Sequence, residues 1–125
     1  MDRALYIAAA VAGFLGVALG AFGAHGLRGR LVPELMAVFE TGVRYQLFHV
    51  VALFAAAWGR ARWQHRAFGV AGVLFAAGIV VFSGSLYLLV FTGVRALGAV
   101  TPLGGLAFLA GWLCLAWGAG SKMRS

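Results

Sequence analysis

Charged side chains are missing from most of this chain. Among its 125 residues, Asp and Glu together number three, and Lys and Arg together number ten. No charge occurs in residues 4–24, 67–94 or 96–121. About 20 apolar residues are enough for a helix to cross a bilayer, and a soluble fold of this length could not bury so much apolar surface. The lack of charge excludes a soluble globular domain and predicts an integral membrane protein.

Cysteine and proline are also scarce. Cys114 is the only cysteine, so it cannot form a disulfide within the chain, and no spacing typical of a zinc site occurs. We therefore expect no resident metal, and the pattern identifies no cofactor. The two prolines, Pro33 and Pro102, each suit the first residue of a helix.

The uncharged stretches predict an all-α membrane protein, in which four transmembrane helices form an up-down-up-down bundle. The whole chain, 1–125, should be one domain. The predicted spans are residues about 5–24, 41–58, 67–91 and 102–118. Pro33 and Glu34 open a segment too short to span, so we expect a short interfacial helix between helices 1 and 2 that turns into the membrane near Gly42. The first apolar stretch exceeds the ~7–15 residues of a signal peptide core, so we expect a span rather than a leader.

Basic residues are divided unevenly between the two ends of such a bundle. One end carries Arg3, Arg60, Arg62, Arg66, Lys122 and Arg124, and the other carries Arg28, Arg30 and Arg95, with Arg44 just inside. The more basic side of a membrane protein faces the cytoplasm, so both termini should be cytoplasmic. The net charge of +7 is then explained by topology and by contact with membrane lipids of negative charge, and we expect no nucleic-acid partner.

The polar residues of the predicted spans lie toward one end of the bundle, near the extracytoplasmic face. The candidate cluster is His25, Glu40, Arg44, Tyr45, His49, Ser83, Ser85, Tyr87 and Thr101. Glu40 and Arg44 are four residues apart, so they lie on one stripe of a helix and can pair. His49 lies ~13 Å deeper than Glu40 at ~1.5 Å per residue, and its candidate partners are Tyr45, Ser83, Ser85 and Tyr87.

This cluster permits a structural and a functional interpretation. Polar residues within a membrane can cross-link helices, with each contact worth ~0.6 kcal/mol, whereas charge within a membrane often marks a functional site. For Glu40 and Arg44 we favour a structural clamp. For Ser83, Ser85 and Thr101 we favour helix cross-linking. For His49 both interpretations stay open, because deep histidines also serve proton or ligand traffic.

Two kinds of chemistry are allowed by residue type alone. His25, His49 and Glu40 could together bind a metal. Ser83 or Ser85 could act as a nucleophile with His49 as its base. Neither arrangement has diagnostic spacing, so we expect that the protein is not an enzyme.

The polar cluster favours a binding or scaffold protein with a one-sided pocket. Arg44 and His25 would hold a lipid headgroup or a small anion, roofed by residues 27–39. The alternative is a small transporter or channel formed by oligomerisation. Small four-helix multidrug transporters depend on an embedded acidic residue in their first helix, and this chain has none there. Polar residues also do not continue into the cytoplasmic half of any span.

Small residues recur every fourth position in two predicted helices. The stripes are Ala12-Gly16-Gly20-Ala24 and Ala110-Cys114-Gly118. Such stripes let a neighbouring helix approach closely. They could serve packing within the chain or a homo-oligomer.

Four motifs together resemble one family. They are AFGAHGL at 21–27, ETGVRYQLFH at 40–49, FSGSLY at 82–87 and TPLGG at 101–105. The chain resembles the small inner-membrane family catalogued as a domain of unknown function, which has YgdD-like and YwdK-like bacterial members and a eukaryotic mitochondrial transmembrane relative. The resemblance extends over essentially the whole chain. It implies a four-helix protein of the bacterial plasma (inner) membrane and implies no activity.

Overall fold

The computed structural model describes residues 2–123, with the side chains of Lys122 and Met123 excepted. Arg124 and the Lys122 side chain, which we assigned to the more basic end of the bundle, lie outside that description. The α-helices are α1 (Asp2–Phe22), α2 (Pro33–Trp63), α3 (Arg66–Gly78), α4 (Gly84–Thr92) and α5 (Thr101–Met123). A π-helical turn, Gly23–Leu27, extends α1, and Arg95–Ala99 form a 3-10 helix. Another π-helical turn, Ile79–Ser83, joins α3 and α4 into one rod. The prediction of an all-helical fold is confirmed.

Helix α2 is continuous where we expected a break. Val32 is extended and Pro33 occupies the first turn, after which the helix continues without interruption to Trp63. The prediction of a separate short helix between the first two spans is therefore wrong. Gly42 serves packing rather than bending, because a Cβ atom there would lie 2.8 Å from Cε1 of Tyr87. The missing side chain makes room for a ring of α4.

The four rods of the fold are α1 with its π-helical turn, α2, α3–α4 and α5. Consecutive rods pack in opposite directions. Gly16 lies against Leu47, and Gly23, farther along α1, lies against the earlier residue Phe39. Helices α3 and α5 pair in the same antiparallel way. Helix α1 packs mainly on α2, and α5 packs mainly on the α3–α4 rod. The rods α2 and α3–α4 therefore form the centre, with α1 and α5 on either side.

The exterior is apolar and polar side chains are inside. Phe14 is 74% exposed and Leu113 is 72% exposed, whereas Gln46 is 3% and His49 5% exposed. This distribution is typical of a protein surrounded by lipid, where interior polar groups bond to neighbouring helices. Three helical segments in residues 2–123 are long and apolar enough to cross a membrane: Asp2–Leu27, Arg66–Thr92 and Arg95–Ser121.

The connection between α2 and α3 consists of Gln64 and His65. Gln64 has a left-handed conformation with φ of 57°, and its backbone N–H donates to Arg60 O at 2.9 Å. Nδ1 of His65 accepts a hydrogen bond from the N–H of Ala67 at 3.0 Å, which caps α3. This short turn keeps Arg60 and Arg66 at the same end of the molecule.

Candidate functional site

Gln46 connects three of the four rods. Its Nε2 donates to the carbonyl oxygen of Ala12 on α1 at 2.7 Å. Its Oε1 accepts from the hydroxyl of Tyr87 on α4 at 2.6 Å. Both functions of the buried amide are therefore used, as low-dielectric surroundings require. Tyr87 was a predicted site residue, and the structure uses it to hold α4 against α2.

Ser83 also bonds to α2. It ends the π-helical turn Ile79–Ser83, is fully buried, and donates from Oγ to the carbonyl oxygen of Gly42 at 2.6 Å. A π-helical turn contains one extra residue. The residues after it therefore point in different directions from those that an uninterrupted α-helix would give them. Ser83 and Tyr87 face α2 together, while the neighbouring Phe82 contacts Phe108 on α5.

Ser85 and Thr101 connect α4 to the start of α5. Their hydroxyl oxygens are 2.5 Å apart. Ser85 Oγ is also 2.9 Å from Phe82 O, and Thr101 Oγ1 is 3.4 Å from Leu97 O. Each hydroxyl has one proton to donate, so one of them accepts while the other donates. The contact between the two hydroxyl groups is an interhelical cross-link.

His49 has a partner at each ring nitrogen. Nδ1 lies 2.7 Å from the carbonyl oxygen of Tyr45, and Nε2 lies 3.1 Å from Nε1 of Trp112 on α5. A carbonyl only accepts and an indole N–H only donates. Nδ1 therefore carries the proton and Nε2 is an acceptor, so the imidazole is neutral. The ring stacks on Phe108 with centroids 3.6 Å apart, which leaves no nitrogen free for a ligand.

Arg28, Glu40 and Arg44 line an open cavity of about 250 Å³ between the end of α1 and the first half of α2. We call it the Arg44 cavity. Its α1 wall is made of small residues, which leave the space open; they are Gly20, Gly23 and Ala24. The Glu40 carboxylate pairs with Arg28 at 3.6 Å. The predicted Glu40–Arg44 clamp is wrong: within residues 2–123, Arg44 has no ion-pair or hydrogen-bond partner.

Other predicted combinations are not brought together. His25 is exposed in the π-helical turn Gly23–Leu27 and does not line the Arg44 cavity. Ser83 and Ser85 bond to other groups and not to His49, so no nucleophile–base pair exists between these residues. No group of three or more His, Cys, Asp or Glu that could hold a metal occurs in the described part of the chain.

Three residues of these contacts were absent from the predicted cluster: Arg28, Gln46 and Trp112. The connection between α1 and α2 is short, so the end of α1 must lie beside the first turns of α2. This constraint could have predicted the pairing of Arg28 with Glu40. Gln46 falls within the polar ETGVRYQLFH motif. Trp112 had no signal, because the side of α5 that faces α2 depends on how the rods are rotated.

The stripes of small residues are in contact within the chain. A Cβ at Gly16 would lie 2.6 Å from Leu47 Cδ2, and one at Gly118 would lie 3.1 Å from Ala67 Cβ. Gly16 therefore faces α2, and Gly118 faces α3. An oligomer built on these stripes stays a prediction.

Comparison with known proteins places the chain in a family. Residues 19–105 match the family described as "Protein of unknown function (DUF423)". UPF0382 membrane protein YwdK of Bacillus subtilis (strain 168) is 43% identical over 114 residues, which cover 90% of this chain and 93% of the relative. UPF0382 inner membrane protein YgdD of Escherichia coli (strain K12) is 44% identical over 118 residues, covering 94% and 90% respectively. No solved structure matches. This chain therefore belongs to the DUF423 family of membrane proteins of unknown function.

Proposed function

We propose that this protein is a multi-pass plasma membrane protein that binds a phosphate-bearing lipid headgroup, or a small anion, in the Arg44 cavity. All four rods cross the membrane in this proposal, with both termini in the cytoplasm and the cavity near the extracytoplasmic face. Helix α2 is less apolar than the other rods because it carries polar residues. Gln46 and His49 are buried against neighbouring helices rather than facing lipid, and a membrane-spanning helix can carry polar residues in such positions. Their burial therefore supports α2 as a fourth span.

The observation that carries the proposal is the Arg44 guanidinium, which lies at an open cavity and has no ion-pair or hydrogen-bond partner among residues 2–123. Its planar donors suit phosphate oxygens. Arg28 lies at the same cavity, and its pair with Glu40 is solvent-accessible, with side chains 70% and 44% exposed. Such an exposed pair is worth only ~0.2–1 kcal/mol, so a phosphate can compete with Glu40 for Arg28.

Binding on one side explains the interior better than transport does. Every buried side-chain nitrogen and oxygen atom in the described residues has a hydrogen-bond partner. The polar contacts below the cavity join helices to one another, as Gln46 does with Ala12 and Tyr87. A pathway across the membrane would need these contacts to open. The transporter remains the alternative that the experiment below can favour.

Native mass spectrometry from mild detergent tests the proposal, with phosphatidylglycerol and inorganic phosphate as separate probes. We expect Arg44→Gln to lower retention of one of them roughly tenfold or more, because a hydrogen bond to a charged group is worth ~1.5–3 kcal/mol. Retention of the lipid alone would identify a headgroup, and retention of phosphate would identify a small anion. Arg30→Gln is the matched control, since Arg30 lies at the same end but does not line the cavity.

Two outcomes would contradict the proposal. Equal losses in Arg44→Gln and Arg30→Gln would show a general effect of surface charge. Unchanged retention in Arg44→Gln would exclude the cavity. If uptake of phosphate into sealed vesicles required Arg44, the alternative of transport would replace simple binding.

A further inference from the structure

A second groove lies at the opposite end of the molecule from the Arg44 cavity. It has a volume of about 390 Å³ and is lined by Arg60, Arg66, Gly69, Val70, Val73 and Leu74. We call it the Arg60–Arg66 groove. All but Arg60 belong to α3, at spacings of three, four, seven and eight residues from Arg66. Such spacings place side chains on one face of a helix, so the groove is an apolar stripe that ends in arginine.

The apolar part of this groove is open to the surroundings of the protein. Val70 is 48% exposed and Val73 50% exposed. From Arg66 to Leu74 the stripe extends ~12 Å at ~1.5 Å per residue. Gly69 removes a side chain from the wall and deepens the groove. A hydrocarbon chain lying along α3 would cover these residues.

The charged part of the groove has no acidic partner in the described part of the chain. Within residues 2–123, neither Arg60 nor Arg66 forms an ion pair. The two come from different helices and are held together by the short turn at Gln64 and His65. Trp58 and Trp63, with ring centroids 5.1 Å apart, lie at the same end, as expected at the headgroup level of a membrane.

From this arrangement we infer that the Arg60–Arg66 groove binds one anionic phospholipid of the leaflet on the side of the termini. The phosphate accepts hydrogen bonds from both guanidinium groups, and one acyl chain lies along Val70, Val73 and Leu74. Charge complementarity selects an anionic over a zwitterionic lipid. This site is separate from the proposed function and does not depend on it.

The test is retention of added phosphatidylglycerol by the full chain in native mass spectrometry, with phosphatidylcholine as the zwitterionic comparison. Arg60→Gln and Arg66→Gln should each lower the affinity for phosphatidylglycerol roughly fivefold, since a basic residue near an anionic headgroup is worth ~1 kcal/mol. Arg62→Gln is the matched control, because Arg62 is exposed in the last turn of α2 but does not line the groove. It should change the affinity less than about twofold.

A second pair of variants tests the apolar part without changing charge. Val73→Phe fills the groove and should lower phosphatidylglycerol retention, whereas Leu88→Phe, exposed on the same rod and away from the groove, should not. Equal losses in Arg62→Gln and the two groove arginine variants would overturn the inference in favour of general charge attraction. Equal retention of phosphatidylcholine and phosphatidylglycerol by the unmodified protein would overturn it as well.

The two lipid sites can be told apart by counting bound molecules. If both exist, Arg44→Gln removes one lipid and Arg66→Gln removes the other. A lipid lost only in Arg44→Gln would contradict the groove and leave the proposed function standing. A lipid lost only in Arg66→Gln would support the groove and exclude a lipid headgroup from the Arg44 cavity, and retention of phosphate would then decide whether that cavity binds a small anion.

Discussion

The polar residues of the interior and those of the Arg44 cavity differ in how completely they are bonded. In the interior, Gln46 and His49 each make two hydrogen bonds to neighbouring groups. At the cavity, Arg44 has no partner among residues 2–123, and Arg28 has only the exposed Glu40. The difference separates two roles that residue type alone does not. Saturated groups fix helix positions, while unsaturated charges at an opening can bind a ligand.

The largest expected effect tests interior packing. Gly104 on α5 crosses the π-helical turn so closely that a Cβ would lie 2.4 Å from the backbone nitrogen of Phe82. Backbone atoms cannot move aside as a flexible side chain can, so Gly104→Ala should destabilise the protein by ~1–3 kcal/mol. The measurement is the midpoint of thermal or denaturant-induced unfolding in detergent, followed by circular dichroism.

The neighbouring glycine is the control. At Gly105 the nearest atom to an added Cβ is 3.9 Å away, and alanine favours helix over glycine by up to ~1 kcal/mol. Gly105→Ala should therefore leave stability unchanged or raise it. Similar losses in both variants would contradict the close approach of α5 to the π-helical turn.

The second prediction concerns the buried histidine. His49→Phe keeps a ring against Phe108 but removes both hydrogen bonds, so we expect a loss of ~1–2 kcal/mol with unchanged lipid retention. Tyr45→Phe is the control, because the hydroxyl of Tyr45 has no hydrogen-bond partner in the described structure. If His49→Phe abolished lipid retention at unchanged stability, the interior would be functional and the comparison would fail.

The smallest effect should be seen at the cavity. Glu40→Gln breaks an exposed ion pair, so stability should change by no more than ~0.5 kcal/mol. Because Arg28 is released, retention of phosphate or phosphatidylglycerol should rise roughly two- to fivefold. Glu34→Gln, on the first turn of α2 and outside this cavity, should leave retention unchanged. A fall in retention in Glu40→Gln would mean that the carboxylate itself contacts the ligand.

The helical architecture could be predicted because it depends on local features. Long uncharged stretches require helices in lipid, and Thr101-Pro102 marks the start of α5 as expected. The continuity of α2 could not be predicted, because a glycine such as Gly42 is equally suited to a break in a helix and to a close contact between helices. Only the ring of Tyr87 opposite it distinguishes the two.

The candidate site was harder to predict because partners depend on helix rotation. Spacing places Glu40 and Arg44 on one stripe, but the carboxylate turns to Arg28 across the connection between α1 and α2. The π-helical turn Ile79–Ser83 has no signal in the sequence, although it decides that Ser83 faces α2 while Phe82 faces α5. Contacts of this kind are set by the packing of whole rods.

The position of α1 and α5 on either side of the central rods has a consequence for synthesis. Helix α1 is synthesised before α2, so its glycine face has no partner until α2 has been made. Helix α5 is synthesised after the other rods, and Phe75, His49 and Phe82 stay uncovered on one side until it arrives. We therefore expect chains that stop before Thr101 to be recognised as incomplete and degraded, since they still expose the aromatic face that α5 covers.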